Sequence, residues 1–315
     1  MLKTLTGLLL GHQMSTEYIP VSSENFIYDI QIKLHIPNNE VPVDVTFNHL
    51  FLGYKPLLFA LIFHVSEKDL NAVRANKKIK LRFSHKHLGS SLGVFEGEEV
   101  HHTLLKGYEV IIYKGVHARL NALPPIFQWT NRAHQLIRKS LSNNVPLPGN
   151  LYEQVSLMYV VPRKISIVTV GDGKNFNMFP TDLHGNVGND FYTDSLRLAG
   201  KACKQVDQFK KVVISDLSPE FQQDAYAMGK NHMKELMPVE NFKTHSLSEK
   251  FRLPLPTGVT RYRELIKETD FDYGIHRIHF FNKINEVQVT PLNNTLSTIH
   301  RFYAQWRINH NLPVR

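Results

Sequence analysis

Residues 161–183 read VPRKISIVTVGDGKNFNMFPTDL. The apolar run Ile165 to Val170 has the length of a strand, and the sequence from Gly171 to Lys174 is typical of a tight turn before an extended, Asn-containing segment. An earlier apolar run, Val155 to Val161, also reads as a strand. The stretch therefore predicts a β-hairpin.

The sequence beyond this hairpin mixes strands with few helices. A short helix is predicted from Gly200 to Gln208, a strand from Lys211 to Asp216, and a further alternating strand from Ile275 to Phe281. Strands and helices do not alternate regularly. The pattern therefore favours an α+β or mostly β fold, of the barrel kind, over a doubly wound parallel sheet.

The first part of the chain is also rich in strand patterns. Apolar and polar residues alternate over 25–36 and 78–83, and Leu57 to Val65 is a continuous apolar run. A linker-like segment, Ser142 to Asn150, follows a predicted helix. We therefore expect two domains: residues 1–150, a β-rich N-terminal domain of unknown role with a terminal helix and linker, and residues 151–315.

The composition is that of a globular protein, with 42% hydrophobic and 21% charged residues among 315. The net charge of +9 favours anionic partners, such as a phosphorylated cofactor or a pyridine dinucleotide. Nucleic acid is not expected, because the charge is not concentrated in one segment. The single cysteine, Cys203, favours a reducing compartment, and no apolar run is long enough to span a membrane, so a cytoplasmic protein is expected.

Common catalytic motifs are absent from the sequence, including the P-loop, the dinucleotide-binding glycine pattern, the zincin helix and the hydrolase nucleophile elbow. The 17 histidines include close pairs, but convergent ligand spacing is missing. We interpret them as surface or satisfied core histidines and expect no metal; a metal or haem site is the alternative.

Two segments could hold a ligand. Asn177 to Gly185 combines apolar and small polar side chains, which suits the edge of a flat heterocycle such as a flavin. Ser195, Arg197, Lys201 and Lys204 bring a hydroxyl and three cations to the predicted start of a helix, where a phosphate is favoured. The alternative is that the lysines form a solvated helix face, and both interpretations remain open.

These residues lead to a family resemblance. Residues 161–183, with 195–197, 201–215 and Gly274-Ile275-His276, resemble the flavin reductase-like branch of the FMN-binding split barrels, over about residues 155–290. The resemblance implies a C-terminal six-stranded Greek-key split barrel. It also implies a homodimer with FMN near the subunit interface, FAD as the alternative flavin, and NAD(P)H as a co-substrate.

The resemblance also implies roles for particular residues. The residues that would line the flavin ring are Asn177, Met178, Phe179, Pro180, Thr181 and Asp182. Those that would lie near the ribityl chain and phosphate are Arg197, Lys201, Lys204 and Gln205, and Ser195 joins them as a cofactor-binding candidate from the argument above. His276 would be the catalytic residue, although a satisfied strand histidine is the alternative. Ala202-Cys203-Lys204 lacks the family's phosphate-binding hydroxyl. Two functions follow: hydride transfer from a nicotinamide to a bound flavin, or non-catalytic binding of a flavin, haem or another anionic ligand.

Overall fold

The computed structural model describes residues 18–22, 26, 29–36, 41–123, 126, 128–129, 147–290 and 294–314. Most of the expected linker and its preceding helix lie outside these residues. Among the described helices, none combines the length and the apolar character needed to cross a lipid bilayer.

The first part of the chain is almost entirely β-structure. Its elements are β1 Tyr18–Ser22, β2 Ile30–His35, β3 Val43–Asp44, β4 His49–Tyr54, β5 Leu57–His64, α1 Leu70–Arg74, β6 Lys78–His85, β7 Ser91–Leu105 and β8 Tyr108–Leu120. Strands β2 to β8 form a seven-stranded antiparallel sheet, here the N-terminal sheet, in the order β3-β2-β6-β7-β8-β5-β4. Alternation sets its faces, because β6 buries Ile79, Leu81 and Phe83 and exposes the residues between them.

The second part contains a longer sheet and more helices. Its elements are α2 Leu151–Met158, β9 Arg163–Lys164, β10 Ser166–Gly171, β11 Asn175–Thr181, β12 His184–Val187, β13 Phe191–Arg197, α3 Lys201–Phe209, β14 Lys211–Leu217, α4 Gln222–Ala227, β15 Met237–Pro238, β16 Thr244–Leu247, β17 Pro254–Pro256, β18 Val259–Tyr273, β19 His276–Gln288, β20 Leu296–His300 and α5 Arg301–Asn309. Three 3-10 turns lie at Pro219–Phe221, Met228–Met233 and Val239–Asn241.

Eight of these strands form the C-terminal sheet, in the order β12-β13-β19-β18-β14-β10-β11-β15. The predicted hairpin is confirmed as β10 and β11. Its turn is fixed by Asp172, whose Oδ1 accepts from the backbone N–H groups of Lys174 and Asn175 at 2.8 and 2.7 Å. The sheet curls so that Thr181 of β11 donates to Asp194 Oδ1 of β13 at 2.7 Å, although no ladder joins those two strands in the described residues.

The expectation of a strand over Val155 to Val161 was wrong, because most of this run belongs to α2. The helix packs on the N-terminal sheet: Val155, Leu157 and Met158 join that sheet's core. Asn150, at the start of α2, accepts from the Ala118 backbone N–H and donates to the Ala118 carbonyl. A run buried on all sides carries no periodicity that separates helix from strand, which explains the error.

The two sheets pack face to face. One apolar cluster combines residues of β4, β5 and β8 with residues of β12, β13 and β19, among them Leu58, Ile112, Phe191 and Phe280. The outer face of β13 and β19 is thus covered by the N-terminal sheet. Short strands β1, β20 and β9 form a third sheet that links the two ends of the chain.

Candidate functional site

The middle of β11 lies beneath another part of the chain. Three of its residues are fully buried: Asn177, Met178 and Phe179. The 3-10 segment Met228–Met233, called the covering segment below, lies over them. Asn231 Nδ2 donates to the Met178 carbonyl at 2.8 Å, and the His232 ring packs on Phe179 with ring centroids 4.8 Å apart. These three residues therefore do not line an open surface.

A buried amide pair fastens this arrangement to α3. Asn177 Nδ2 donates to Gln205 Oε1 at 2.7 Å and to the Asn231 carbonyl at 3.0 Å. Gln205 Nε2 donates to the Lys234 carbonyl at 3.0 Å. The structure thus brings the predicted ligand residues Asn177 and Gln205 together, but their hydrogen bonds join segments of the chain to one another.

A second group of predicted residues meets at the edge between the two sheets. It consists of Ser195, Arg197 and His276 together with Tyr54 of the N-terminal sheet, and is called the junction below. Strand pairing places Arg197 opposite His276. Ser195 Oγ lies 3.3 Å from His276 Nδ1, and the Tyr54 backbone N–H points at His276 Nε2 at 3.5 Å. The Tyr54 and His276 rings meet edge to face, 4.7 Å apart.

The surroundings of His276 fix its charge. Burial, helped by the Arg197 guanidinium, lowers the pKa of His276 to about 4. The imidazole is therefore neutral at pH 7. Because Nε2 faces the N–H of Tyr54 and accepts from it, the ring proton is assigned to Nδ1, which donates to Ser195 Oγ.

Arg197 is the exposed member of the junction. Its Nε donates to the Tyr54 hydroxyl, and its guanidinium carbon lies 5.3 Å from the centre of the Tyr54 ring. This contact holds the stem in place while the side chain stays exposed. An oriented guanidinium is suited to bind a phosphate or carboxylate.

Thr181 and Asp182 at the end of β11 make internal contacts. The hydrogen bond from Thr181 joins Asp194, whose pKa burial raises to about 6. Asp182 accepts a short hydrogen bond from the Tyr159 hydroxyl. Burial raises the pKa of Asp182, although this hydrogen bond and the Arg163 guanidinium act in the opposite direction. Pro180, in the same strand end, is half-buried, and its side chain has no polar atom.

The predicted cations of α3 lie beside the junction in sequence. Lys201 forms an ion pair with Glu235, whereas Lys204 is exposed. The helix begins after Gly200, which offers no side-chain cap to the first N–H groups. These N–H groups and Lys204 give the start of α3 a positive character.

Cys203, Asp207 and His279 place one ligand atom each within 4.8 Å of one another, which resembles a metal site. The Asp207 carboxylate is already paired with Lys267 and Arg277, each at 2.5 Å. Although burial acts against it, the hydrogen bond from His279 and these two cations lower the pKa of Asp207. Two fixed positive charges oppose a third cation, so this cluster is an ion-pair network.

Sequence reasoning missed two contributors. Tyr54 comes from the other sheet, and only the tertiary packing brings it to His276. The covering segment follows β14 in sequence, and its hydrogen bonds are made mainly to backbone carbonyls, which leave no sequence pattern. A single sequence carries no signal for either.

About half of this chain is similar to flavin proteins of known structure, at low sequence identity. No family model and no curated protein matches the chain. An FMN-binding protein from Thermus thermophilus is 14% identical, with a TM-score of 0.42 over 51% of this chain and 91% of that one. The NADH:FAD oxidoreductase of Streptomyces globisporus is 14% identical, with a TM-score of 0.42 over 50% of this chain and 93% of that one. A styrene monooxygenase flavin reductase from Pseudomonas putida is 12% identical, with a TM-score of 0.38 over 46% and 91%. Flavin reductases and FMN-binding proteins are therefore solved structures to which about half of this chain is similar.

Proposed function

We propose that this protein is a flavin-binding oxidoreductase that takes FMN, with FAD as the alternative, at the junction and accepts hydride from NAD(P)H. The ligand class follows from the sequence resemblance. The observation that carries the proposal is the meeting of Ser195, Arg197 and His276 with Tyr54 at the edge between the two sheets, where Arg197 is exposed, Tyr54 is half-buried, and Ser195 and His276 are buried beneath them, although Ser195 and His276 are 81 residues apart.

The residues present fit the phosphate end of such a ligand. Arg197 and Lys204 are exposed cations, and the start of α3 offers N–H groups without a side-chain cap. The residues expected to contact the flavin ring fit it less well, because Asn177, Met178 and Phe179 lie under the covering segment. The ring would instead lie against Pro180 and Tyr54.

When bound, a flavin supplies the ring atom that accepts a hydride from NAD(P)H. The residues of the junction orient the ligand and set the charge around it. The guanidinium of Arg197 would offset negative charge on the ligand. Neutral His276 keeps its proton at Nδ1 and is held in place by Ser195 Oγ, while the Tyr54 ring shields it from water. Because His276 is buried, it is proposed to position the nicotinamide through the Tyr54 ring that covers it.

A second candidate function is non-catalytic binding of a flavin or another anionic ligand. The burial of the β11 residues favours it, because it removes the wall against which a flavin ring would be expected to lie. In either function we place the protein in the cytoplasm, in agreement with its free, buried Cys203.

Binding is tested by titrating FMN into the full chain and following quenching of flavin fluorescence. Arg197→Met should weaken binding about tenfold, since it removes one charge-assisted contact worth roughly 1.5 kcal/mol. The matched control is Arg119→Met, which removes the same charge from an exposed position on the N-terminal sheet and should leave the Kd unchanged. If the wild type binds neither FMN nor FAD, or if Arg119→Met is the weaker binder, the proposed site is wrong.

Hydride transfer is tested by adding NADH or NADPH to the FMN-loaded protein without oxygen and recording bleaching of the flavin bands. His276→Ala should slow bleaching while changing the FMN Kd little. A wild type that binds FMN but is reduced by neither nicotinamide would establish the non-catalytic candidate. A His276→Ala protein reduced at the wild-type rate would remove His276 from the mechanism.

A further inference from the structure

The two sheets have the same topology. Taken in chain order, the strands of the N-terminal sheet are β2 to β8, and their counterparts in the C-terminal sheet are β10, β11, β12, β13, β14, β18 and β19. From one edge of the sheet to the other, the strands of both sheets then have the same order: second, first, fifth, sixth, seventh, fourth and third. Strand β15 is an additional edge strand of the C-terminal sheet. In both, a helix, α1 or α3, lies between the fourth and fifth strands.

The correspondence extends to individual residues in the long hairpins. Strands β7 and β8 have 15 and 13 residues, as do β18 and β19. Register irregularities fall at Glu96/Gly97 and Glu99/His101 in the first hairpin and at Glu264/Leu265 and Lys267/Thr269 in the second. These are equivalent positions when Leu105 is aligned with Tyr273. A third pair of irregularities, at Phe83/Ser84 and Asp216/Leu217, is equivalent too.

One ion pair occurs at equivalent positions with its charges exchanged. The N-terminal sheet with α1 is called the first unit below, and the C-terminal sheet with α3 the second unit. In the first unit, Arg74 Nε donates to Glu109 Oε2 at 2.7 Å, and His102 Nε2 lies 2.9 Å from the same oxygen. In the second unit, Asp207 takes the place of Arg74, Arg277 that of Glu109, and Asp270 that of His102. Arg277 Nη1 lies 2.5 Å from Asp207 Oδ2, and its Nε lies 3.9 Å from Asp270 Oδ1. The positions of the ion pair are thus the same in both units, although the residues at those positions differ.

A histidine that stacks on an aromatic ring is also repeated. His49 opens β4 and stacks on Phe59 at 5.4 Å, and His184 opens β12 and stacks on Tyr192 at 5.8 Å. Burial lowers the pKa of His49 to about 3 and that of His184 to about 4. Both histidines are therefore neutral at pH 7.

The contact between the units is reciprocal. Each unit contributes its third, fourth and seventh strands to the shared apolar cluster. The turn after Tyr54 packs against Gly274, and the equivalent turn at Gly188 packs against the Tyr108 ring, where an added Cβ would lie 2.2 Å from the ring. Self-complementary use of one patch is the property of a two-fold contact between identical subunits.

We infer that the chain is a tandem duplication of one barrel unit, and that its two units form with each other the interface that two copies of a single-unit chain would share. The surface through which two single-unit chains would pair is thus buried between the two units of this chain, so the full chain is a monomer. A consequence that rests on the proposed function is one ligand per chain, because the counterpart of the junction has Ile62 for Ser195, His64 for Arg197 and Tyr108 for His276.

The monomer is tested by sedimentation equilibrium of the full chain over a wide concentration range. The expected mass is 36.3 kDa at every concentration. A concentration-dependent dimer would overturn the inference that the full chain is a monomer. No flavin is involved, so this result is independent of the proposed function.

The equivalence of positions is tested by exchanging the ion-pair polarity within the first unit. Arg74→Asp leaves two carboxylates together and should lower the urea midpoint by about 0.5 M, because the buried Glu109 loses its cation, although Arg74 itself is exposed. Adding Glu109→Arg should restore most of the loss, and adding His102→Asp, which completes the set of the second unit, should restore more. If the double and triple variants are no more stable than Arg74→Asp, the positions are not equivalent and the duplication is refuted. Should Arg74→Asp not fold, a folded triple variant carries the same conclusion.

Discussion

Asp216→Asn is expected to destabilise the protein strongly, because it breaks a buried ionic network. Asp216 is 1% exposed. It accepts from Ser166 Oγ at 2.8 Å, from Arg261 Nη2 at 2.8 Å and from Arg263 Nη1 at 3.1 Å. Arg263 is itself almost completely buried, and its remaining anionic partner is Glu286 at 3.1 Å.

The size of the effect follows from these contacts. Asparagine keeps the volume of the side chain but removes the charge that balances Arg263, and its amide group faces two guanidinium groups. Removing one partner of a buried pair costs about 3–5 kcal/mol. For a chain of this length the loss corresponds to a fall in Tm of about 5 °C.

The pH dependence has a definite sign. Burial alone would raise the pKa of Asp216, but Arg263, Lys164 and Arg261 lower it well below its usual value. The stability contributed by the carboxylate is therefore fully present above pH 4 and is lost only as the pH falls through the lower folded-state pKa. The difference between wild type and Asp216→Asn should accordingly be the same at pH 7 and pH 5.

Thermal unfolding followed by circular dichroism measures this difference. The matched control is Asp224→Asn, which breaks the surface ion pair with Lys243 and should cost less than about 1 kcal/mol. If Asp216→Asn lowers Tm no more than Asp224→Asn does, the buried network does not hold the sheet as described.

Two further predictions concern the interface and a buried histidine. Gly188→Leu should lower Tm by several degrees more than Gly89→Leu, since both glycines have positive φ (63° and 62°) but only Gly188 faces a ring, that of Tyr108; equal losses in thermal scans would contradict the contact. His184 accepts from or donates to the Tyr192 hydroxyl at 2.6 Å, and burial lowers its pKa to about 4. Because the unfolded chain binds the proton first, stability falls as the pH drops from about 6.5 toward 4, by about 2 kcal/mol at pH 5. His184→Gln should reduce the fall in Tm between pH 7 and pH 5 without abolishing it, because His49 and His276 also have lowered pKa values, and an unchanged slope would show that His184 does not titrate on unfolding.

The sequence contained enough information for the local β-structure of the second unit. The hairpin of β10 and β11, helix α3 and strand β14 all have short-range signals, in periodicity and turn residues. Helix α2 does not, because its face against β8 and the rest of its surface are both buried. Ser195 and Arg197 could be selected because they place a hydroxyl and a cation before a predicted helix, whereas His276 is selected from the family resemblance.

The arrangement around those residues depends on long-range packing. Tyr54 reaches His276 only because the two sheets pack together, and the covering segment reaches β11 through hydrogen bonds to backbone carbonyls. The repeated unit is equally hidden from the sequence. In the two long hairpins, Glu96 and Glu264 are identical residues at equivalent positions, whereas Glu109 and Arg277 are equivalent positions with opposite charge. Packing constraints preserved bulge positions and strand lengths, which one sequence does not display.

The asymmetry of the two turns has a consequence for how chains recognise each other. At one contact Tyr54 meets His276, and at the other Gly188 leaves room for Tyr108. If two first units met, the turn of Tyr54 would face Tyr108 and two phenol rings would compete for one space. If two second units met, Gly188 would face His276 and leave a gap. Overfilling and cavities both cost free energy, so each unit prefers its unlike neighbour in the same chain, and newly made chains are steered away from exchanging units with one another.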